Sequence, residues 1–391
     1  MVKLGIIGGG QLGLMLCISV IKNKKLNSNI EIIYIYSNKK DIPCNILLSN
    51  KVVEIQIVIG DFSNEDMFLD FCNKCDIVTY EFENININLL KNAEINNKIK
   101  HNSINAPNLI YPNIKYLEII QDKLKQKEFL QENGFNVAPF QYIKNYEDIY
   151  YFIERYDYPV IIKSRRGSFD GRGNFYISNY EELTKWYCTI SSSTKKIHEF
   201  YIENIIDFDN EFSITGCNSS DNFKAIFDPV KNIHKNNILL KTKYSKNIIS
   251  EYMSNKIKNI HKKILDLFDT KGVICIEFFH KGKYVYINEI ALRVHNSYHI
   301  SINCCNVSQF EAHIRCIINE QISNIKMDKY SGMVNIISKM PKDRTEGLSE
   351  ISGFHDYGKL ERENRKLGHI TLVDTNKNNL LKKIQNIKKI I

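Results

Sequence analysis

The sequence predicts an α/β fold that opens on a parallel, doubly wound sheet and turns α+β in its later parts. Three observations predict it. Short apolar runs alternate with helical segments over residues 1–105, the pattern of a parallel sheet wrapped by crossover helices. A glycine turn, Gly8 to Gly13, separates the first run from the first helix. Beyond residue 158, apolar runs follow one another with few helices between, as antiparallel strands do.

In chain order, residues 3–8 read as a buried strand and 14–21 as a helix. Strands follow at 30–36, 52–59 and 77–80, rich in Ile, Val and Tyr. Asn, Ser and two prolines make 101–112 a linker. Periodicity predicts one helix over 115–133, stopped by Gly134. Strands at 158–163 and 173–177 flank a glycine-rich turn, with another at 197–204 and strand-like sequence over 211–238. Residues 255–268 form a helix. Residues 273–279 and 284–290 form a hairpin around Lys281 and Gly282, and the tail from about 330 holds short strands and a basic helix. No internal repeat or low-complexity linker interrupts the chain.

A length of 391 residues suits two or three domains, and 43% apolar residues suffice for sizeable cores. The net charge of +9 is scattered among Ile and Asn rather than gathered on a run. That argues against nucleic acid as a partner and leaves small anionic substrates. Ten cysteines show no framework. The pair Cys72 and Cys75 has no second CxxC, so it reads as structural thiols in a reducing compartment. No apolar run reaches the ~18 residues that span a bilayer. The glycines near the start rule out a secretory signal. The expectation is a soluble, cytoplasmic protein with no membrane partner.

Gly8, Gly10 and Gly13 satisfy the dinucleotide fingerprint, and the helix start behind them suits a phosphate. The following strand ends Tyr36-Ser37-Asn38, without the carboxylate that a dinucleotide ribose requires. The densest chemistry lies at 163–174, where Lys163 ends an apolar strand and Arg165, Arg166, Gly167, Ser168, Phe169, Asp170, Gly171, Arg172, Gly173 and Asn174 follow within one turn. A strand-borne lysine beside a glycine loop suits a polyphosphate. Taken alone, the segment would also pass for a basic hairpin turn. Glu277 and Glu289 both sit within apolar strands, where a carboxylate needs a partner. An odd hairpin loop would face them the same way. With Asn288 they would form an oxygen site for Mg²⁺ on nucleotide phosphates, with Arg293, His295 and Asn296 nearby.

Together these segments carry a resemblance. Gly8-Gly9-Gly10-Gln11-Leu12-Gly13, Thr79-Tyr80-Glu81-Phe82-Glu83-Asn84 and Gln121-Asp122-Lys123 precede the 163–174 loop. Asn288-Glu289, Arg293-Val294-His295-Asn296-Ser297, Ser308-Gln309-Phe310-Glu311 and Arg365-Lys366-Leu367-Gly368-His369 follow it. The chain resembles the 5-(carboxyamino)imidazole ribonucleotide synthases, a family of ATP-grasp ligases of purine synthesis, nearly end to end.

The resemblance implies a Rossmann-like pre-ATP-grasp domain over 1–108, an ATP-grasp domain over 109–320 and a small β-rich C-terminal domain over 321–391. It implies ATP- and bicarbonate-dependent carboxylation of 5-aminoimidazole ribonucleotide through carboxyphosphate, with Mg²⁺ (or Mn²⁺) as cofactor and a homodimer as the assembly. ATP would be held by Lys123, Lys163, the loop from Ser168 to Asn174, Glu203 with Asn204, Ile205 and Ile206 at the adenine, Glu211 at the ribose, and His234, Asn288 and Glu289. Glu277 and Glu289 would bind the metal. Asp170, Arg172, Arg293 and His295 would surround the reacting centre. Gln11, Glu81, Glu83, Asn296, Lys359, Arg365 and Lys366 would hold the ribotide.

The chain departs from the family at several places. Leu14, Ser168, Phe169, Asp228, Leu292 and Tyr298 stand where a polar residue, Gly, Tyr, Tyr, Pro and Gly are usual. The nearest rivals are other ATP-grasp enzymes, a formate-using glycinamide ribotide transformylase or a biotin carboxylase. The segments 79–84 and 365–369 argue against both. A decayed enzyme kept as a binding module is opposed by Lys163, Glu277, Glu289 and Arg293, which are all present.

Overall fold

The structure, a computed structural model, describes residues 1–103, 107–167, 173–218, 223–327, 329–341 and 353–390. The chain opens on a parallel sheet of β1 (Val2–Ile7), β2 (Ile30–Ser37), β3 (Glu54–Ile59) and β4 (Ile77–Tyr80), ordered β3-β2-β1-β4. Helices cover both faces, so β1 and β2 are almost wholly apolar and Leu4, Ile6, Ile7, Ile33 and Ile35 are inaccessible. The expected linker is packed against this sheet where it is described. Ile110 bridges Val78, and buried Glu94 accepts hydrogen bonds from the N–H groups of Leu109 and Ile110. Cys72 and Cys75 are buried free thiols in its core.

The single helix expected over 115–133 is two, Ile114–Ile120 and Lys123–Glu132. Asp122 breaks it by capping the second: its carboxylate accepts from the N–H groups of Leu124 and Lys125. Apolar spacing continues through the break, so periodicity alone does not reveal it.

A second sheet holds β5 (Phe140–Tyr142), β6 (Val160–Ser164), β7 (Asn174–Ile177) and β8 (Phe200–Asn204), antiparallel in the order β5-β8-β6-β7. It has its own core, built on Ile162, Trp186 and Phe200.

Among the described residues, the third sheet has nine strands: β9 (Asn210–Asn218), β10 (Lys224–Ile226), β11 (Val230–Lys235), β12 (Ile238–Tyr244), β13 (Val273–Lys281), β14 (Tyr284–Ala291), β15 (Tyr330–Ile337), β16 (Gly353–Asp356) and β17 (Lys366–Asp374). Their order is β14-β13-β9-β11-β12-β15-β17-β16, with β10 paired to β9. Among the described residues, the tail therefore builds no sheet of its own. β15 pairs with β12 and extends the central sheet, and the helix Lys377–Ile390 packs Leu380, Ile384 and Ile387 against it.

Candidate active site

The three sheets converge on one cleft of about 990 Å³. At its floor, Glu277 on β13 and Glu289 on β14 are direct cross-strand partners. The loop between the strands is two residues, Gly282 and Lys283, so an odd loop is not what aligns the two carboxylates. The register shifts next to Glu277: Phe278 pairs with Ile287 and Glu277 with Glu289, which leaves Asn288 as an extra residue. This bulge, not the loop, puts both carboxylates on one face.

The two differ electrostatically. Burial pushes the Glu277 carboxyl up, against the pull of His234. Burial acts on Glu289 too, but Lys123 and Lys163 hold it below the usual carboxylate range. Lys123 Nζ lies 3.4 Å from Glu289 Oε2. Among the described residues, no three His, Cys, Asp or Glu side chains converge as a self-sufficient metal cage. Two carboxylates fit a cation that takes its other oxygens from a polyphosphate, as Mg²⁺ does.

Lys163 leaves the end of β6 and lines the cleft, its Nζ 2.9 Å from Glu203 Oε1. Across the cleft, His234 Nδ1 lies 2.7 Å from Glu211 Oε2. Burial would lower this imidazole, but Glu211 and Glu277 raise it on balance. His295 behaves oppositely. Burial, with Arg293 and Lys366, drives it well below the usual histidine range, so it stays neutral at pH 7. Its Nδ1 meets Ser297 Oγ at 2.9 Å, and its Nε2 lies 3.7 Å from Glu277 Oε1. The guanidinium of Arg293 lies 3.5 Å from Glu83, whose other oxygen accepts the Leu292 N–H at 2.9 Å.

The glycine turn is occupied by the protein itself. Glu81 accepts from the N–H groups of Gly10 at 2.5 Å and Gly13 at 2.7 Å. Gly8 has φ +102°, and a Cβ there would collide with Glu81 Cγ. The anion cradle expected for a phosphate thus holds a carboxylate. Beside it, Lys359 bonds Gln11 and, with Lys366, closes this end of the cleft.

Known proteins divide along the same lines. The ribonucleotide synthetase preATP-grasp domain family matches residues 1–121, and the ATP-grasp domain family matches 128–310. The phosphoribosylaminoimidazole carboxylase C-terminal domain family matches 331–383. An N5-carboxyaminoimidazole ribonucleotide synthase of Staphylococcus aureus (strain COL) is 31% identical over 380 residues, covering 96% of this chain and 93% of the relative. The chain belongs to the N5-carboxyaminoimidazole ribonucleotide synthase family. Within that family, the Thermus thermophilus synthetase superposes with a TM-score of 0.85 at 27% identity, over 99% of this chain and 98% of the other. The Aspergillus clavatus synthase in complex with ADP and 5-aminoimidazole ribonucleotide gives 0.83 at 25% identity, over 100% and 98%.

Of the family's expected site residues, the cleft brings together Gln11, Glu81, Glu83, Lys123, Lys163, Asn174, Glu211, His234, Glu277, Asn288, Glu289, Arg293, His295, Asn296, Lys359 and Lys366, with Gly173 flanking it in sequence. Ser168, Phe169, Asp170, Gly171 and Arg172 lie outside the described residues. Glu203, expected at the adenine, has its side chain buried beneath the cleft between Lys127 and Lys163. Asn204, Ile205 and Ile206 do not line it either, nor does Arg365, whose Nη1 donates to the Leu360 carbonyl. Sequence reasoning missed Arg165, which pairs with Asp122 at 2.7 Å, and Asn232. It also missed the stacked rings of Phe208 and Phe279, 4.7 Å apart. Arg165 was within reach of the sequence, in the basic run after Lys163. The others depend on strand order.

Proposed function

We propose that the protein carboxylates the amine of 5-aminoimidazole ribonucleotide with ATP and bicarbonate, releasing ADP and phosphate. The observation that carries this reading is the single cleft. Lys123, Lys163 and the Glu277–Glu289 pair form one end, Lys359 and Lys366 the other, and Arg293 with His295 lie between. A kinase needs no second cationic end, and a dehydrogenase needs no carboxylate pair.

A bicarbonate oxygen attacks the γ-phosphorus, the bond to ADP breaks, and carboxyphosphate forms. The amine nitrogen then bonds to the carboxyl carbon as phosphate leaves. Lys123 and Lys163 bind the polyphosphate. Glu277 and Glu289 would hold Mg²⁺, or Mn²⁺, which supplies charge neutralisation at the phosphates. Arg293 stabilises the anion between the two ends. Neutral His295 is placed to take the proton that the amine loses. Glu81 and Glu83 orient the ribotide. Holding both reactants in one cleft shortens the exposure of a short-lived acyl phosphate to water.

A homodimer and a cytoplasmic location belong to the same reading. The family resemblance supports the first, and ten unpaired cysteines support the second. No helix among the described residues is long and apolar enough to cross a membrane. The test is phosphate release from ATP with bicarbonate and ribotide added singly and together. Labelled bicarbonate is expected in an acid-labile product only when all three are present. Stimulation by formate and glycinamide ribonucleotide instead would overturn the assignment, and sedimentation at micromolar concentration checks the dimer.

A further inference from the structure

Behind the nucleotide end, Lys163 belongs to a buried charge cluster whose other members, Lys127 and Glu203, the reaction above does not use. Lys127 follows Lys123 by one helical turn, on the same face of the helix Lys123–Glu132. Lys123 reaches the cleft, whereas the Lys127 side chain is 3% exposed. Its Nζ lies 3.3 Å from Glu203 Oε2 and donates to the Ile287 carbonyl at 3.2 Å. The other oxygen of Glu203 meets Lys163 Nζ at 2.9 Å, and the Tyr201 hydroxyl donates to Oε2 at 3.3 Å. One carboxylate thus bridges two lysines, one facing the cleft and one behind it.

The charge count decides what this does. Two ammonium groups and one carboxylate leave one surplus positive charge beside the polyphosphate end. Without the charge on Lys127, Glu203 would neutralise Lys163 and the surplus would vanish. A low-dielectric setting makes that difference large.

We infer that Lys127 is a positioning residue for nucleotide binding: by occupying one oxygen of Glu203, it leaves Lys163 free to present net positive charge to the polyphosphate. This rests on reading the cleft as the ATP site. The groups facing Lys127 are Glu203 and Tyr201 on β8, Lys163 on β6, Glu289 on β14 and Lys123 on its own helix. Burial outweighs the attraction of Glu203 and pulls Lys127 down to about 8. Above that pH it loses its charge, so ATP affinity should fall as pH rises through it. Glu203 is held below the usual carboxylate range by Lys127 and Lys163 despite its burial, so it keeps its charge over this window.

The experiment is calorimetric ATP binding to the full chain, with Mg²⁺, between pH 7 and pH 9. Wild-type affinity is expected to weaken about tenfold across that window, the scale of one lost charge interaction. Lys127→Met is expected to bind ATP about tenfold more weakly at pH 7, with little pH dependence and kcat near the parent's at saturating ATP. Adding Glu203→Gln to it removes the uncompensated carboxylate and should restore most of the affinity, which a packing defect would not allow. A folded Lys127→Met with parental affinity would overturn the inference. So would a wild-type affinity that stays flat from pH 7 to 9, and that measurement stands even where the variant fails to fold. A wild-type chain that binds no ATP would instead sink the nucleotide reading itself.

Discussion

Glu277 and Glu289 face each other because Asn288 is a bulge, one residue more on β14 than β13 can pair. Without the bulge, regular pairing carried through from the hairpin tip would set Asn288 opposite Glu277 and turn Glu289 to the opposite face. Glu289→Gln, which keeps the backbone, should reduce turnover by about 100-fold or more. Near-parental rates with Mg²⁺ in the substitution variant would refute the metal assignment.

Arg293 lies between the two ends of the cleft and touches Glu83. On the proposed reading its charge would act on the reacting anion rather than on ATP. Arg293→Met should therefore lower kcat by about 10²–10³ while ATP affinity shifts far less. Single-turnover kinetics alongside calorimetry separates the two. An equal loss in both would place Arg293 at the nucleotide instead.

Gly8 has a left-handed φ and abuts Glu81. Gly8→Ala would carry strain and push Glu81 off the N–H groups of Gly10 and Gly13. The expected cost is about 1–3 kcal/mol of stability, with a raised KM for the ribotide and little change in KM for ATP. Denaturant unfolding and initial rates check both parts.

Several buried imidazoles set a pH dependence for stability. Burial pulls His261, His313 and His355 down to about 4. Each binds its proton less readily folded than unfolded. Their contribution is thus intact above about 6.5 and is lost as pH falls from there towards 4. His313 shows the structural reason. Its Nδ1 accepts the Val273 N–H at 3.1 Å, so Nε2 carries the hydrogen shared with Thr79, and a second proton would break the Val273 bond. The melting temperature should drop by at least about 5 °C between pH 6.5 and 4.5. His313→Gln should lessen the slope, and an unchanged slope would exclude His313 as a contributor.

The strands, the glycine turn and the carboxylates flanked by apolar residues were legible because each is written in a few adjacent residues. What escaped depends on partners far along the chain. Asp122 ends a helix that periodicity would continue, since its carboxylate serves as a cap and meets Arg165. Glu81 fills the turn of Gly10 and Gly13 from about 70 residues away. The bulge at Asn288 has no signal of its own within an alternating strand.

Two departures from the family pattern also become intelligible. Tyr298, at a usual glycine position, is buried against Phe227, and its hydroxyl donates to the carbonyls of Asp228 and Ser213. Leu292, at a usual proline position, supplies the N–H that binds Glu83.

The continuous central sheet has a geometric consequence. Five strand-to-strand steps separate β13, which carries Glu277, from β17, which starts at Lys366. In a flat sheet that would be about 24 Å at the usual strand spacing. Yet Lys366 lines the same cleft as Glu277 and acts on its ionisation. The sheet must curl like a half-closed hand, and the cleft is its palm. The span between the two ends of the cleft is then set by accumulated twist across hydrogen-bonded strands rather than by a hinge. A tail borrowed from another ligase would have to match that curvature, not merely the chemistry of its lysines.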